Sequence, residues 1–267
     1  MIGKRVLAVL HPGAMGAAVA ACLVGRGHEV GWLRSGRSEA TSRRAAQVGL
    51  TPFDDLAELL AHADIVFSIC PPHGALEVAR ALAGFRGIVV DANAISPETS
   101  VLIGRTVTGG GARYVDGGII GPPPITAGTT RLYLAGDDGE VANLFAGSAL
   151  DAVSLASAPP AASALKMTYA AWTKTTAALL VSIRRTAAAY GVDDDLEKEW
   201  AISQPHLAGA WLQARQQNNE KGWRWSYELA EVGRTFAAVG QPEGFGAAAS
   251  EVFAASGNED PPGLGGH

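Results

Sequence analysis

The chain has 267 residues and a formal net charge of −5, with hydrophobic residues at 48% of positions and charged residues at 18%. This balance is that of a folded globular protein with a substantial core, and it excludes a disordered chain. The negative charge excludes a typical nucleic-acid binder, because neutralising phosphates requires clustered Lys and Arg on a basic surface.

The two cysteines and the N-terminus bear on where the protein resides. Cys22 and Cys70 each lie in an apolar run, so we interpret them as reduced core residues, which suits the cytoplasm. His11 and Pro12 interrupt the apolar stretch that begins at residue 6, so a secretory signal is not expected. No run reaches the roughly 18 to 20 uninterrupted apolar residues of a membrane helix.

Short β-rich runs alternate with helical stretches over residues 5–155. The predicted strands are 5–10, 29–33, 65–68, 88–91, 113–116 and 131–135. The predicted helices are 14–26, 38–48, 55–62, 74–83 and 97–107. Such alternation predicts an α/β domain of Rossmann type over residues 1–158, in which helices cover both faces of a parallel sheet.

The second half of the chain has a different pattern. Pro159 and Pro160 open an Ala-rich stretch that reaches Tyr190 without another proline or glycine, which predicts one long helix joining two domains. Further helical segments complete an all-α C-terminal domain over residues 159–255. The tail, residues 256–267, is rich in glycine and proline and is predicted to be mobile.

The first predicted strand runs directly into a turn with the features of a dinucleotide-binding site. The turn consists of His11, Pro12, Gly13, Ala14, Met15 and Gly16. Gly13 would let the backbone approach a pyrophosphate, and Gly16 would let the following helix pack closely on the strand. The first glycine of the usual fingerprint is replaced by His11. A strand-to-helix turn without a ligand is the alternative, but a position after the first strand of a βαβ unit favours a dinucleotide.

The end of the second predicted strand indicates which dinucleotide binds. NAD-binding domains usually carry an acidic residue there, whereas this chain has Leu33 followed by Arg34, Ser35 and Arg37. Two guanidinium groups and a hydroxyl suit a 2′-phosphate, so NADPH (NADP) is favoured over NAD. The alternative for both arginines is a solvated surface loop.

Four motifs resemble the β-hydroxyacid dehydrogenase superfamily, which includes 3-hydroxyisobutyrate dehydrogenases, 6-phosphogluconate dehydrogenases and the related imine reductases. They are Gly13-Ala14-Met15-Gly16, Ser68-Ile69-Cys70-Pro71-Pro72, Asp91-Ala92-Asn93-Ala94-Ile95-Ser96-Pro97 and Asp116-Gly117-Gly118-Ile119-Ile120-Gly121. The resemblance covers most of the chain and implies an NAD(P)-dependent oxidoreductase.

The resemblance also implies positions for the cofactor and the substrate. The segments containing Cys70, Pro71, Pro72 and Asn93 would border the nicotinamide. A Ser-Gly-Gly element that contacts the substrate carboxylate in this family corresponds here to Ile120, Gly121 and Pro122. Because this chain lacks the serine donor and one backbone amide there, an ordinary carboxylate contact is in doubt.

A lysine near the start of the long helix is the family's catalytic residue, and Lys166 occupies the matching position. The family usually has two asparagines three and four residues later, where this chain has Tyr169 and Ala170. On an uninterrupted α-helix, Lys166, Tyr169 and Thr173 would share one face and could meet one ligand. We therefore expect Lys166 to act as general acid or base, with Asn93 and Tyr169 orienting the substrate and Thr173 contacting it. In the alternative, Lys166 reaches solvent and Tyr169 packs in the core.

These features favour reversible, NADPH-dependent reduction of a semialdehyde or keto acid to a hydroxy acid. Imine reduction is the alternative, supported by the altered substrate motifs, and a non-catalytic NADPH-binding sensor is an alternative of another class. Trp211, Trp223, Trp225 and Tyr227 would either line an apolar substrate pocket or form a helical core. A homodimer is expected, and no metal site, nucleic acid or membrane is expected to be involved.

Overall fold

The computed structural model describes residues 5–255, except for the side chains of residues 219–224. The predicted mobile tail, 256–267, and the side chain of Trp223 therefore lie outside the described residues. The chain divides into two compact units, Met1–Lys166 and Met167–His267. The predicted combination of a Rossmann-type domain and an all-helical region is confirmed.

The first unit is built on a sheet that has eight strands within the described residues. The strands are β1 (Val6–Val9), β2 (Glu29–Leu33), β3 (Thr51–Phe53), β4 (Ile65–Ser68), β5 (Ile88–Asp91), β6 (Arg113–Ile120), β7 (Thr130–Ala135) and β8 (Leu150–Ser154). Their order across the sheet is β3-β2-β1-β4-β5-β6-β7-β8. The order therefore reverses direction between β1 and β4, which is the topological switch point of a doubly wound fold.

The sheet is not entirely parallel, which corrects the prediction. β1 to β6 pair in parallel, but β7 runs antiparallel to β6 and parallel to β8. Residues 121–129, which join β6 to β7, form no helix. Since a parallel crossover needs about a dozen residues or more, this connection only permits an antiparallel neighbour.

Helices pack on both faces of the sheet. The helices of this unit are α1 (Ala14–Gly25), α2 (Glu39–Gln47), α3 (Leu56–His62), α4 (Ala75–Ala81), α5 (Pro97–Gly109) and α6 (Glu140–Asn143), and α7 (Ala161–Ala170) begins within it. The side chain of Asp55 accepts a hydrogen bond from the amide of Glu58, and that of Ser96 accepts one from the amide of Thr99, so each caps the N-terminus of the helix that follows.

Three short elements were missed. β3 contains Pro52, which is tolerated because β3 is an edge strand. α6 is a single turn, capped by two hydrogen bonds from backbone amides to Asp137. β8 has only one buried residue, Leu150, and so lacks a clear apolar alternation. Short elements with mixed composition give little periodic signal.

The central strands are apolar throughout because both faces of the sheet are covered. Leu7 and Val9 of β1 lie in one core cluster, with Phe67 of β4, while Ala8 and Val66 lie in the cluster on the other face. All five side chains are fully buried. A strand buried on both faces reads as a continuous apolar run rather than an alternation.

The second unit is helical. After the last turn of α7 it contains a π-helical segment (Ala171–Thr175), α8 (Thr176–Ala189), α9 (Asp193–Ser203), α10 (Leu207–Ala237) and α11 (Gly244–Ala255). The predicted long helix is thus continuous over residues 161–189, with one widened segment. α11 packs against α10 closely enough that a Cβ on Gly246 would lie 2.4 Å from the amide nitrogen of Gly233.

Trp225 packs against the core of the second unit. The ring of Trp225 packs edge-on against Phe253 with a 5.2 Å centroid distance, and the ammonium of Lys174 lies 5.2 Å from the same ring. Lys174 forms an ion pair with Glu228, and both side chains are nearly buried. Trp225 is therefore a core residue rather than part of a pocket wall, and Glu228 is structural.

Within the described residues, none of the helices combines the length and the apolar character that crossing a bilayer would require.

Candidate functional site

The switch point places two loops side by side. β1 and β4 are neighbouring parallel strands, so the turn that follows β1 and the segment Cys70 to Pro72 that follows β4 emerge at the same edge of the sheet. In open α/β sheets, ligands bind in the crevice outside the carboxyl ends of the strands at this point. The position of the predicted dinucleotide turn therefore agrees with a ligand-binding role.

The two glycines of the turn differ in their surroundings, as a dinucleotide site requires. A Cβ on Gly16 would lie 2.2 Å from the carbonyl oxygen of His11, so only glycine lets α1 approach the turn this closely. A Cβ on Gly13 would have no heavy atom within 4 Å, so the backbone there borders open space. α1 begins directly afterwards, at Ala14, and the amides of its first turn have no acceptors within the helix. These features fit a bound diphosphate.

Two buried nitrogen atoms border the same crevice. His11 Nδ1 and Arg37 Nε are buried and have no hydrogen-bond partner among the described residues. Burial, and then the charge of Arg37, lowers the pKa of His11 to about 4, so the imidazole is neutral at physiological pH. Buried polar atoms without a partner are rare in folded proteins and indicate a site for a group that supplies one.

Arg34 has a partner that the sequence analysis did not identify. Its Nε and Nη2 lie 2.8 and 2.5 Å from the two carboxylate oxygens of Asp54, a two-point ion pair on the exposed surface. The hydrogen bond to Asp54 raises the pKa of Arg34, and that bond lowers the pKa of Asp54. Asp54 follows β3, so missing that short strand concealed the pair. Ser35 is exposed beside it.

Asn93 is buried, with 2% of its surface exposed, and all of its side-chain polar atoms contact protein. Its Oδ1 accepts a hydrogen bond from the amide of Cys70 at 2.6 Å, and its Nδ2 donates to Ser68 and to Asp91, each at 2.9 Å. Asn93 therefore fixes the segment that follows β4. This arrangement supports a role in shaping the cofactor site rather than direct contact with substrate.

The segment held by Asn93 presents two prolines and a protonated thiol. Pro71 is exposed and precedes the short 3₁₀ turn Pro72–Gly74. Cys70 is half-buried, and burial, followed by the nearby Asp91, raises the pKa of its thiol to about 12. Since the thiolate is the nucleophilic form, Cys70 has no features of a catalytic nucleophile.

Two buried carboxyl groups are neighbours in the sheet, one at the end of β5 and one in the middle of β6. Asp91 and Asp116 are register partners on these parallel strands. Burial raises the pKa of Asp91 to about 7, hydrogen bonds from Asn93 partly offset that shift, and Asp116 adds to it. The two acids have different partners, since Asp91 binds Asn93 whereas Asp116 binds α7.

Asp116 anchors the start of α7. Its Oδ2 accepts hydrogen bonds from the amides of Ala162 and Ser163, at 2.8 and 3.0 Å, and its Oδ1 accepts one from the Ser163 hydroxyl. The hydroxyl of Ser100 donates to the same Oδ1 at 3.0 Å. A carboxylate that binds the first amides of a helix also interacts favourably with the helix dipole. The position of α7 on the sheet is therefore fixed by a fully buried acid.

Gly118 brings Lys166 close to the sheet. A Cβ on Gly118 would lie 2.6 Å from the carbonyl oxygen of Ala162 and 3.1 Å from the Cβ of Lys166. Only glycine permits this approach of α7 to β6. Lys166 is half-buried and lies one turn beyond the amides that Asp116 binds.

The segment predicted to contact substrate forms a tight turn. The side chain of Ile120 is only 5% exposed, so it offers little surface to a ligand. Gly121 has φ of +126°, which glycine adopts without strain, and the carbonyl of Pro122 accepts a hydrogen bond from the Thr130 hydroxyl. Any substrate contact here depends on the backbone and on Pro122, which is exposed.

Tyr169 and Thr173 differ from the expectation of one regular helix face. Tyr169 is 47% exposed, so it is not a core residue. Thr173 lies in the π-helical segment Ala171–Thr175, and its hydroxyl donates to the carbonyl oxygens of Tyr169 and Ala170. The i, i+7 relationship to Lys166 assumed a regular α-helix, and the π-helical segment breaks that spacing.

Among the side chains that the structure describes, no group of three or more from His, Cys, Asp or Glu is arranged to hold a metal ion.

Two family models match parts of the chain. Residues 6–94 match the family described as NADP oxidoreductase coenzyme F420-dependent, and residues 187–256 match a domain of unknown function (DUF1932). An uncharacterised 28.5 kDa protein of Methanothermus fervidus is 30% identical over 162 residues. That alignment covers 60% of this chain and 62% of the relative, so the chain spans less than two thirds of the curated relative that it matches.

Solved structures match over almost the whole chain. A conserved protein of unknown function, described as structurally similar to 3-hydroxyacid dehydrogenases, is 26% identical with a TM-score of 0.71, covering 94% of this chain and 96% of that one. A 3-hydroxyisobutyrate dehydrogenase from Mycobacterium tuberculosis, solved with L-serine, is 20% identical with a TM-score of 0.70 and coverages of 95% and 94%. A reductive aminase from Aspergillus terreus, solved with NADPH and ethyl levulinate, is 15% identical with a TM-score of 0.61 and coverages of 97% and 95%.

Proposed function

We propose that this chain is an oxidoreductase of the β-hydroxyacid dehydrogenase superfamily that uses NADPH to reduce a carbonyl group, which the similarity of its fold to members of that superfamily supports. The substrate class is a semialdehyde or keto acid, and the product is a hydroxy acid. The reaction is reversible.

The observation that carries this proposal is the shape of the turn between β1 and α1. Open space over Gly13, close packing at Gly16 and the start of α1 at Ala14 together suit a diphosphate at a helix N-terminus. The proposed ligands of NADPH are His11, Pro12, Gly13, Ala14, Met15, Gly16, Arg34, Ser35, Arg37, Cys70, Pro71, Pro72 and Asn93. Leu33 stands in the place where NAD-binding domains usually have an acid, and Arg34 follows it directly, which supports NADPH.

Lys166 is the proposed proton donor. Bound NADPH supplies the hydride, which is transferred to the carbonyl carbon. Lys166 donates a proton from its ammonium group to the carbonyl oxygen as negative charge develops there, and in the oxidative direction it takes that proton back. Gly118 allows the backbone and Cβ of Lys166 to lie close to β6, which supports a well-defined origin for the side chain that carries the amine.

A second candidate is reduction of an imine. The tight turn at Gly121 and Pro122 lacks the Ser-Gly-Gly donors that would bind a substrate carboxylate, and the exposed Tyr169 offers another proton donor. The fold shared with a reductive aminase also supports this candidate. Tyr169 and Thr173 are then the proposed substrate contacts on the helical side.

We further propose that the protein is a cytoplasmic homodimer. Both cysteines are unpaired thiols, as expected for a reducing compartment. The helical unit carries large exposed apolar side chains, among them Leu179, Ile202 and Phe245, which suit burial against a second copy.

The experiment has two stages. Calorimetric titration with NADPH and with NADH tests cofactor binding, and we expect tighter binding of NADPH. NADPH consumption is then measured with a panel of semialdehydes and keto acids and with a cyclic imine. Turnover of the carbonyl compounds supports the first candidate, and turnover of the imine alone supports the second. Tight binding with no turnover of any compound would indicate a cofactor-binding sensor.

Substitution tests the proton donor. Lys166→Ala should lower kcat by about 100-fold or more, within the range that general acid catalysis contributes, while NADPH affinity is retained. Lys198→Ala is the matched control, because Lys198 is an exposed lysine that pairs with Asp195 on α9. Full turnover by the Lys166 variant would rule out its assigned role.

A further inference from the structure

Arg34 and Arg37 belong to one turn, yet they have different surroundings. The amide of Arg37 donates to the carbonyl of Arg34 at 3.1 Å, and Gly36 between them has φ of +72°. This turn reverses the chain after β2, so two side chains three residues apart point into different environments. Arg34 is exposed, whereas Arg37 is half-buried.

Arg37 lies at the crevice between β1 and β4. Its charge acts on the imidazole of His11, which lies just beyond β1, and on the thiol of Cys70, which lies just beyond β4. Its Nε is buried and has no acceptor among the described residues. A guanidinium with a buried, unused donor at this crevice is suited to bind an anion.

Arg34 remains beside the end of β2. Its amide donates to the carbonyl of Phe53, continuing the pairing of β2 with β3, and its guanidinium binds Asp54. The end of β2 is where dinucleotide-binding folds recognise the ribose of the adenosine. Arg34 is therefore placed to distinguish NADPH from NADH, while Arg37 stands nearer to the part that the two cofactors share.

We propose that Arg37 binds the diphosphate common to NADPH and NADH, and that discrimination of the 2′-phosphate falls to Arg34. This assignment rests on the proposed function and reassigns Arg37 from the 2′-phosphate. The neutral imidazole of His11 lies alongside as a second hydrogen-bonding group for the same diphosphate. Arg37 and His11 would thus bind the diphosphate at a turn in which His11 replaces the first glycine of the usual fingerprint.

The test compares two matched variants of the full chain, Arg37→Ala and Arg34→Ala, by calorimetric titration with NADPH, NADH and ADP-ribose. ADP-ribose carries the diphosphate and has no 2′-phosphate. Arg37→Ala should lower the affinity for all three ligands by similar factors of about 10- to 100-fold, which is the range expected when a hydrogen bond to a charged group is lost. Arg34→Ala should lower the affinity for NADPH alone, so that NADPH binds about as tightly as NADH.

An Arg37→Ala variant that loses affinity for NADPH but binds NADH and ADP-ribose as the wild type does would overturn the assignment. Partial unfolding is recognised by a reduced calorimetric stoichiometry, which a weakened contact leaves unchanged. Arg37→Lys keeps the charge and should recover part of the affinity for all three ligands, which a packing role would not produce. If the wild type binds none of the ligands, the proposed function itself fails, and this inference fails with it.

Discussion

Asp116 and Ser163 are joined by two hydrogen bonds, since the carboxylate of Asp116 accepts one from the amide and one from the hydroxyl of Ser163. The two residues are 47 positions apart in the sequence. This contact connects the middle of β6 to the first turn of the helix that carries Lys166. The anchoring of the proposed proton donor therefore depends on a group that takes no part in the chemistry.

Removal of this anchor should destabilise the protein strongly. Asp116→Ala leaves the hydroxyls of Ser100 and Ser163 and two backbone amides buried without their acceptor. We expect a loss of about 3 kcal/mol or more in the free energy of unfolding, measured by urea denaturation. Asp151→Ala is the control, because Asp151 is exposed, and it should change that free energy by no more than about 0.5 kcal/mol. Equal effects of the two substitutions would contradict the anchoring role.

A methyl group at position 118 should displace α7. In Gly118→Ala the new Cβ would lie 2.6 Å from the carbonyl oxygen of Ala162. Because this oxygen belongs to the backbone of α7, relieving the clash requires the helix itself to move. We expect a loss of about 1 to 3 kcal/mol in unfolding free energy, together with reduced kcat and unchanged NADPH affinity. Gly25→Ala provides the comparison, since a Cβ there meets nothing within 4 Å and the substitution should be neutral or slightly stabilising. Retention of wild-type stability and turnover by Gly118→Ala would show that α7 tolerates the shift.

Stability should fall between about pH 4 and pH 7 because of Asp91. Its folded-state pKa of about 7 lies above the ordinary value of 3.8, so the folded protein binds more protons than the unfolded chain in this range. The stabilising effect of the protonated acid is complete below the unfolded-state pKa and is lost as the pH rises through about 7, amounting to about 4 kcal/mol at most. Urea denaturation from pH 4.5 to 7.5 should therefore show a steeper decline for the wild type than for Asp91→Asn. Parallel pH profiles would show that Asp91 is ionised throughout.

Removal of the carboxylate that pairs with Arg34 should increase the affinity for NADPH relative to NADH. Asp54 is exposed, so its ion pair contributes little to stability, but its carboxylate would repel a 2′-phosphate bound by the same guanidinium. Asp54→Asn should therefore raise the affinity for NADPH by about two- to fivefold at low salt and leave NADH unchanged, and the effect should shrink in high salt. Glu39→Gln is a control, because Glu39 pairs with Arg43 on the exposed surface of α2. A weaker affinity for NADPH after Asp54→Asn would indicate that Asp54 instead orients Arg34.

The parts of the site that are contiguous in sequence could be predicted, because a strand, a glycine turn and a helix follow one another within residues 6–25. The relationships that depend on distant residues could not. Asp54 binds Arg34 across β2 and β3, and the short β3 with Pro52 gave no strand signal. Asp116 appeared only as part of a motif, since nothing local indicates that it binds amides more than forty residues away.

The direction of β7 is a different case, because it depends on where β6 ends. The predicted strands 113–116 and 131–135 leave about fourteen residues between them, which is long enough for a parallel crossover. In the structure β6 extends to Ile120, and the remaining connection, 121–129, permits only an antiparallel neighbour. The π-helical segment, by contrast, has an ordinary helical composition, Ala-Trp-Thr-Lys-Thr, and depends on how its residues pack. The common face expected for Lys166 and Thr173 assumed regular α-helical spacing, which this segment alters.

The widened segment Ala171–Thr175 also constrains how the chain can change in length. Each residue of an α-helix turns the chain by about 100°. Deleting one residue here would therefore rotate the side chains after the deletion about the helix axis relative to those before it. Lys174 would then no longer meet Trp225 and Glu228, and the interior of the helical unit would have to be rebuilt. A one-residue deletion at Gly191 would fall in the exposed bend between α8 and α9 and would leave the helix that contains Lys174 intact. Natural variants of this protein should therefore differ in length near residue 191 and keep the count between residues 166 and 189 constant.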